Sequence, residues 1–287
     1  METQVMIDDS PAPVLSKLTA THLPQAVALS SEMGWPYRAE DWAFAHALGD
    51  GLALELGDRL IGTAMRWNYG NAFTSIGMII VGKEFQGHGY GARLVDALLA
   101  GVESTTVFLN ATREAFDLYQ RRGFISTGVL NQHQGVPVLN GASSQQSRVR
   151  KAEASDLSLI MDLDEGCLGM PRTGLLKSLA EIGQLTLISA GGVASGYAVC
   201  RAFGRGHVIG PVVAQNLEDA RTLIEAAISQ LSGGIVRVDT SADSGLSPWL
   251  EERGLKCVDT VTPMMRGTPP QTSLQTRIFA LCSQSLG

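Results

Sequence analysis

No apolar run in this 287-residue chain reaches the roughly 18 residues that a membrane-spanning helix requires. A basic surplus is missing as well. The 22 Lys and Arg stand against 28 Asp and Glu, giving a net charge of −6, and neither side of residue 146 is basic. That removes the electrostatic footprint expected of a nucleic-acid binder or of a protein held on anionic lipid. Cysteine is scarce: Cys167, Cys200, Cys257 and Cys282 are far apart and match no zinc spacing. No metal site is expected, and three of the four sit in apolar surroundings that suit small buried hydrophobes. The opening METQVMIDDSPAP is acidic and polar, unlike a secretory leader, so a reducing cytoplasm is the expected compartment.

Against these absences stand 45% hydrophobic residues with 17% charged, a composition that can bury a core. The order of predicted elements occurs twice, either side of the polar stretch GASSQQS (141–147), which reads as a linker. The first half offers a strand at 14–18, helices at 22–33 and 39–48, and a hairpin turning at Gly57-Asp58. The strand SIGMIIV, a Gly-rich loop, a helix at 90–101, the strand TTVFLN, a helix at 113–122 and a strand from Phe124 follow. The second half offers a strand near Arg148–Lys151, helices at 155–166 and 172–182, and a hairpin at Gly191-Gly192. After it come the strand HVIGPVVA, a helix at 217–231, the strand IVRVDT, a helix at 247–253 and a strand from Leu255. Landmarks keep step: Gly62 and Gly196, Gly77 and Gly210, Asn110 and Asp239, and RRGF (121–124) and ERGL (252–255) are 129 to 134 residues apart. Such agreement implies two copies of one α/β fold, with domains at 1–140 and 148–287. The tail RIFAL (277–281) ends apolar and is expected to dock on a domain surface.

The chemistry points to residues 82–91, GKEFQGHGYG. Three glycines at alternate positions follow a hydrophobic strand and precede a helix whose apolar stripe is Leu94, Val95, Leu98, Leu99 and Val102. Strand, Gly-rich turn and helix aim free backbone N–H groups at an anion. Three phosphate readers compete. A P-loop needs GxxxxGK[ST], which is absent. A dinucleotide fingerprint is met formally by Gly87, Gly89 and Ala92, but GKEFQ intervenes after the strand, and Asn110 ends the next strand where an acid belongs. The third reader is acyl-coenzyme A.

The stretch closely resembles the signature of the GNAT acetyltransferases: Gln or Arg, two residues, Gly, one residue, Gly or Ala, here Gln86-Gly87-His88-Gly89-Tyr90-Gly91. Asn110 ending the fifth strand, then Leu118-Tyr119 and Gly123-Phe124, matches a second family element. The resemblance covers about residues 20–140. It implies two tandem GNAT-like α/β domains, each a mixed, mostly antiparallel twisted sheet flanked by helices, and acetyl-CoA-dependent transfer to an amine, most simply a small molecule. It implies that the strand end Ile79–Ile80–Val81 pairs with the pantetheine arm and polarises the thioester. Gln86 to Gly91, with His88 and Tyr90 between the glycines, would cradle the pyrophosphate, and Tyr119 would protonate the departing thiolate. Asn110 could bond the cofactor arm or cap its strand. No base stands out among Glu32, Glu40, Asp41, His46, His88, His133 and His207, and a water chain would serve. Around Ala220-Arg221, the second copy has QNLED in place of the glycine loop and puts Leu250 where Tyr119 stands. It resembles the degenerate C-terminal domain of tandem family members, with Arg172, Arg201 and Asp239 as polar candidates for completing an acceptor pocket. A non-catalytic acyl-CoA sensor is the rival reading, and a dinucleotide-binding module the third.

Overall fold

The computed structural model describes residues 12–138, 147–273 and 275–287; most of the expected linker lies outside them. Alternating apolar residues give β1 (Val14–Lys17), β2 (Asp50–Leu56), β3 (Arg59–Tyr69), β4 (Phe73–Val81) and β5 (Thr106–Ala111). Between them lie α1 (Leu23–Glu32), α2 (Ala39–Leu48), α3 (Tyr90–Leu99) and α4 (Phe116–Gln120). The helix expected over 113–122 shortens to those five residues, because Phe124 turns back into the core. The strand expected from Phe124 divides into β6 (Ile125–Ser126) and β7 (Leu130–Gly135).

The second half repeats the order with β8 (Val149–Lys151), α5 (Leu157–Leu168), α6 (Thr173–Ile182), β9 (Gly183–Ala190), β10 (Val193–Phe203) and β11 (Gly206–Ala214). Then come α7 (Leu217–Ser229), β12 (Val236–Ser241), α8 (Ser247–Glu252), β13 (Lys256–Arg266) and β14 (Arg277–Ala280). Gly62, Gly77 and Asn110 lie in β3, β4 and β5, and their counterparts Gly196, Gly210 and Asp239 lie in β10, β11 and β12.

The strands join into one sheet in the order β1-β2-β3-β4-β5-β13-β7-β12-β11-β10-β9-β8. Most neighbours run antiparallel; β4–β5 and β11–β12 are parallel. The sheet does not part at the linker. β7 pairs β12 over Val236–Ser241, and β13 pairs β5 over Val107–Ala111. Each half thus lends a strand to the other, and β7 and β13 pair at the seam. A seam of backbone hydrogen bonds ties the halves more rigidly than side-chain packing between two closed domains. On one face Leu94, Val95, Leu98 and Leu99 of α3 pack onto the sheet of the first half, and α7 covers the second. The opposite face carries α1, α2, α5 and α6 in one shared core.

Candidate functional site

β4 and β5 hold parallel register only from Phe73–Thr106 to Ser75–Phe108. Past Ser75 they part, leaving the edge of β4 toward Ile79–Val81 without a ladder. A bulge sits at the parting, where the register of β3 on β4 slips between Thr63 and Met65. Met78 there has φ 50° and is the only non-glycine with positive φ among the described residues. A backbone in that region costs about 1–3 kcal/mol and persists only where the surroundings fix it. Here the Met78 side chain is buried, and Thr63 Oγ1 donates to its carbonyl at 2.9 Å. The strain turns the peptide next to Ile79 out of the regular pleat. Sequence reasoning missed it, since nothing but the preceding Gly77 marks the place.

The split leads onto the Gly-rich loop. Gly87 has φ 81° and Gly89 φ 78°, conformations that L side chains rarely adopt. A Cβ on either would meet no atom of the chain within 4 Å, so the space over the loop is open. Among the described residues, the N–H groups of Gly87, His88 and Gly89 find no acceptor. Gly89 also caps α3 without a side-chain partner, which leaves the positive end of that helix unfilled. This cradle of free donors fits a pyrophosphate. Gln86 turns away from it, donating from Nε2 to Val81 O at 3.0 Å. His88 is exposed and stacks on Tyr90, with ring centroids 5.8 Å apart.

Tyr119 lies beside the loop helix. Leu118 is the nearest group to Gly91, and Arg122 ties α4 to α3 through Asp96, with bonds of 2.6 and 2.9 Å. The Tyr119 ring is buried and meets Phe124 edge-on at 6.0 Å. Its hydroxyl has no partner among the described residues and is not sealed from solvent. Burial pushes the phenol up to about 12, and the Arg122 charge opposes that rise.

Asn110 Nδ2 donates to the carbonyl of Gln284 at 2.7 Å. The C-terminal residues run along this side of the split. Ser75 Oγ donates to Ser285 O at 2.6 Å, and Tyr69 OH to Leu286 O at 2.7 Å. A Cβ on Gly77 would lie 2.8 Å from the Ser285 side chain. Beyond them a cavity of about 320 Å³ opens at the junction of the halves, with Trp67, Tyr69, Pro171, Arg172 and Leu286 in its wall.

The base candidates are committed elsewhere, exposed or, for His207, half-buried. Glu32 accepts from Lys83 N, His46 faces Leu18 O, and His133 is enclosed between Leu255 O and Ser247 Oγ. Asp41 is buried against Arg38 and Gly204. Glu40 is exposed and His207 is half-buried. Cys167, Cys200 and Cys282 are buried and Cys257 is exposed, all as free thiols. Among the described residues no cluster of His, Cys, Asp and Glu could hold a metal, and no helix is long and apolar enough to cross a membrane.

The second half has the same split without the same space. β11 and β12 pair only at His207–Val236 and Val208–Arg237. β14 then enters and pairs β11 from Val212–Ala280 to Ala214–Arg277. Leu281 N donates to Asp239 O at 2.9 Å, and Thr240 Oγ1 to Phe279 O at 2.6 Å. The tail therefore does more than dock on a surface: it completes the sheet. Only Gln215 and Asn216 connect β11 to α7. Asn216 Oδ1 caps Asp219 N at 2.9 Å, and buried Asp219 pairs with Arg148 at 2.6 Å. The helix end has supplied its own anion. Leu250 is fully buried.

Comparison with known proteins agrees with this doubling. A GNAT acetyltransferase domain profile matches residues 47–140, and a second GNAT profile matches residues 160–280. An uncharacterized N-acetyltransferase of Bacillus subtilis (strain 168), YitH, is 26% identical over 291 residues, spanning 95% of this chain and 98% of its own. Holothin acyltransferase of a Pseudoalteromonas strain is 26% identical over 228 residues, 77% of this chain and 75% of that protein. The solved structure of a candidate acetyltransferase from Pyrococcus horikoshii superposes with a TM-score of 0.79 at 17% identity, covering 100% of this chain and 99% of that one. The chain belongs to the GNAT acetyltransferase family as a tandem member, an acyltransferase assembled from two domains of that fold.

Proposed function

We propose that the protein moves an acetyl group from acetyl-CoA to an amine, using the first-half site alone. The observation that carries this is the junction of an open β4–β5 split with a loop of left-handed glycines whose N–H groups have no partner. In this account Gly87 to Gly91 hold the pyrophosphate with backbone donors, and Gln86 braces the loop against β4. Ile79 and Val81 pair with the pantetheine arm. Ile80, buried between them, anchors the strand. Acetyl-CoA supplies the activated acyl carbon. The amine nitrogen attacks it, the C–N bond forms, the C–S bond breaks, and the amine proton leaves through water.

Tyr119 is the proton donor to sulfur. With its phenol pushed up to about 12, the acid form is present at every working pH. Full transfer to a free thiolate near pKa 8.5 is uphill by roughly 5 kcal/mol at about 1.36 kcal/mol per pH unit. Tyr119 therefore hydrogen-bonds the sulfur and yields its proton as the C–S bond breaks, when demand is greatest.

Tyr119→Phe keeps the ring against Phe124 and removes the donor. Acetyl-CoA binding should hold, while kcat falls by roughly 10²–10⁴, the usual worth of a positioned general acid. The defect should shrink well above about pH 8.5, where a free thiolate leaves unaided. Because the phenol stays protonated, wild type should lose no activity between about pH 8 and pH 10 on its account. Full turnover in the Phe variant at neutral pH would remove Tyr119 from the mechanism. One observation favours the sensor reading: Gln284, Ser285 and Leu286 occupy Asn110, Ser75 and Tyr69 on the acceptor side. Absence of turnover with any amine, with acetyl-CoA binding intact, would decide for it.

A further inference from the structure

Among the described residues three arginines are buried, and two of them have a carboxylate at hydrogen-bond distance. Arg172 forms a two-pronged bond with Asp164 at 2.7 and 3.0 Å, and Arg237 binds Asp239 at 2.8–3.0 Å. Arg201, 3% exposed, has no carboxylate so close and lies against the buried Cys282 thiol. Its Nε has no partner. One Nη reaches the Ala202 carbonyl at 3.4 Å and Asp41 at 3.7 Å. Asp41 is already satisfied by the Arg38 backbone and guanidinium and by Gly204 N, at 2.9–3.0 Å. Phe44 and Phe203 bracket the Arg201 guanidinium at 5.1 and 4.7 Å. They hold its plane but accept none of its hydrogen bonds in the way a carboxylate would.

The sheet register explains the placement. Arg201, Val208 and Arg237 stand in one row across β10, β11 and β12, on the face away from α7. Tyr37 of the first half leans over this row, with its ring edge-on to Phe203 at 5.4 Å. Its hydroxyl neighbours Ser285, Arg237 and Asp239. Ser285 in turn abuts Gly77, next to the Met78 bulge. Tyr37 and Ser285 are half-buried, and the Arg237 side chain is 11% exposed against 2% for Arg201, so the row is approached from its Arg237 end. Leaving aside exposed Asp259 at the rim, three guanidinium groups (Arg38, Arg201 and Arg237) face two carboxylates (Asp41 and Asp239). A buried cation short of partners is costly on its own and favours an anion that completes its bonds.

We propose that Arg201, with Arg237 beside it, binds a carboxylate of the acceptor, so that the second half selects amines that carry an acid group. This rests on the acetyl-transfer reading above. It gives the half without a glycine loop a direct part in choosing the substrate.

The test uses the full chain, acetyl-CoA and matched acceptors: alanine, phenylalanine, 4-aminobutyrate and 4-aminobenzoate against their carboxamides, followed by thiol release. Wild type should prefer acids to amides by about 10- to 100-fold in kcat/KM, the worth of one or two charge-assisted hydrogen bonds. Arg201→Met should bring that ratio near one while leaving amide turnover in place. Arg201→Lys keeps the charge, loses the fork and should show an intermediate ratio; it carries the test if the Met variant fails to fold. Equal use of acids and amides by wild type, or a preference that survives Arg201→Met, overturns the proposal. If no amine turns over, the transfer reading fails separately. Melting temperature then decides: a rise with acids alone, abolished in the variants, keeps Arg201 as an anion site, and no rise removes it.

Discussion

The two splits in the sheet start from one design and end differently. β4 leaves β5 after Ser75, and β11 leaves β12 after Val208. In the first half the opening leads to a loop of left-handed glycines with unpartnered N–H groups. In the second, β14 fills the opening, and Asn216 and Asp219 finish the helix end. A split sheet therefore has two stable outcomes. Exposed strand edges must be paired, by a ligand or by the chain's own backbone. The sequence difference behind this is small: a short capped connection replaces a glycine loop.

That contrast can be broken from either side. The largest effect should come from the open loop. Gly89→Val places a branched residue at φ 78° and a side chain in the space a phosphate would use. Losing two hydrogen bonds to charged oxygens should cost about 3–6 kcal/mol of acetyl-CoA affinity at roughly 1.5–3 each. Calorimetry on the folded variant checks it, and unchanged affinity would remove the cradle from the account.

The filled split should respond through stability. Phe279 of β14 is buried in the core of the second half, so Phe279→Ala should cost about 3–5 kcal/mol. Denaturant unfolding would register the loss. A near-neutral result would mean that β14 is an appendage and not a member of the sheet.

Asn216→Ala should do least. It removes the cap from α7, worth typically about 1 kcal/mol, and leaves Asp219 in place against Arg148. A melting shift of a few degrees is expected, with no new affinity for acetyl-CoA. Gain of a second coenzyme site in this variant would show that the cap alone had kept the half silent.

The sequence revealed most of the local structure and little of the exchange between halves. The hairpins at Gly57-Asp58 and Gly191-Gly192, the α3 stripe and the four pairs of landmarks lie where the pattern placed them, because each is written in a few neighbouring residues. Nothing local says that β7 pairs β12 while β13 pairs β5. β7 has six residues and β13 eleven, neither carries a local mark of its partner, and the choice is made by partners over 100 residues away. RIFAL announced an apolar segment that docks, but neither the strand it forms nor the split it enters. The candidate site divides the same way. The loop, Asn110 and Tyr119 were visible as a motif. The Met78 strain, Asn110's bond to Gln284 and the isolation of Arg201 depend on register and on the path of the tail.

The central claim is that only one of the two splits is open to a coenzyme. Calorimetric titration of the full chain with acetyl-CoA tests it most directly. Saturation at one equivalent per chain, abolished by Gly89→Val and untouched by Asn216→Ala, is the predicted result. Saturation at two equivalents, or one equivalent that survives Gly89→Val, would contradict it.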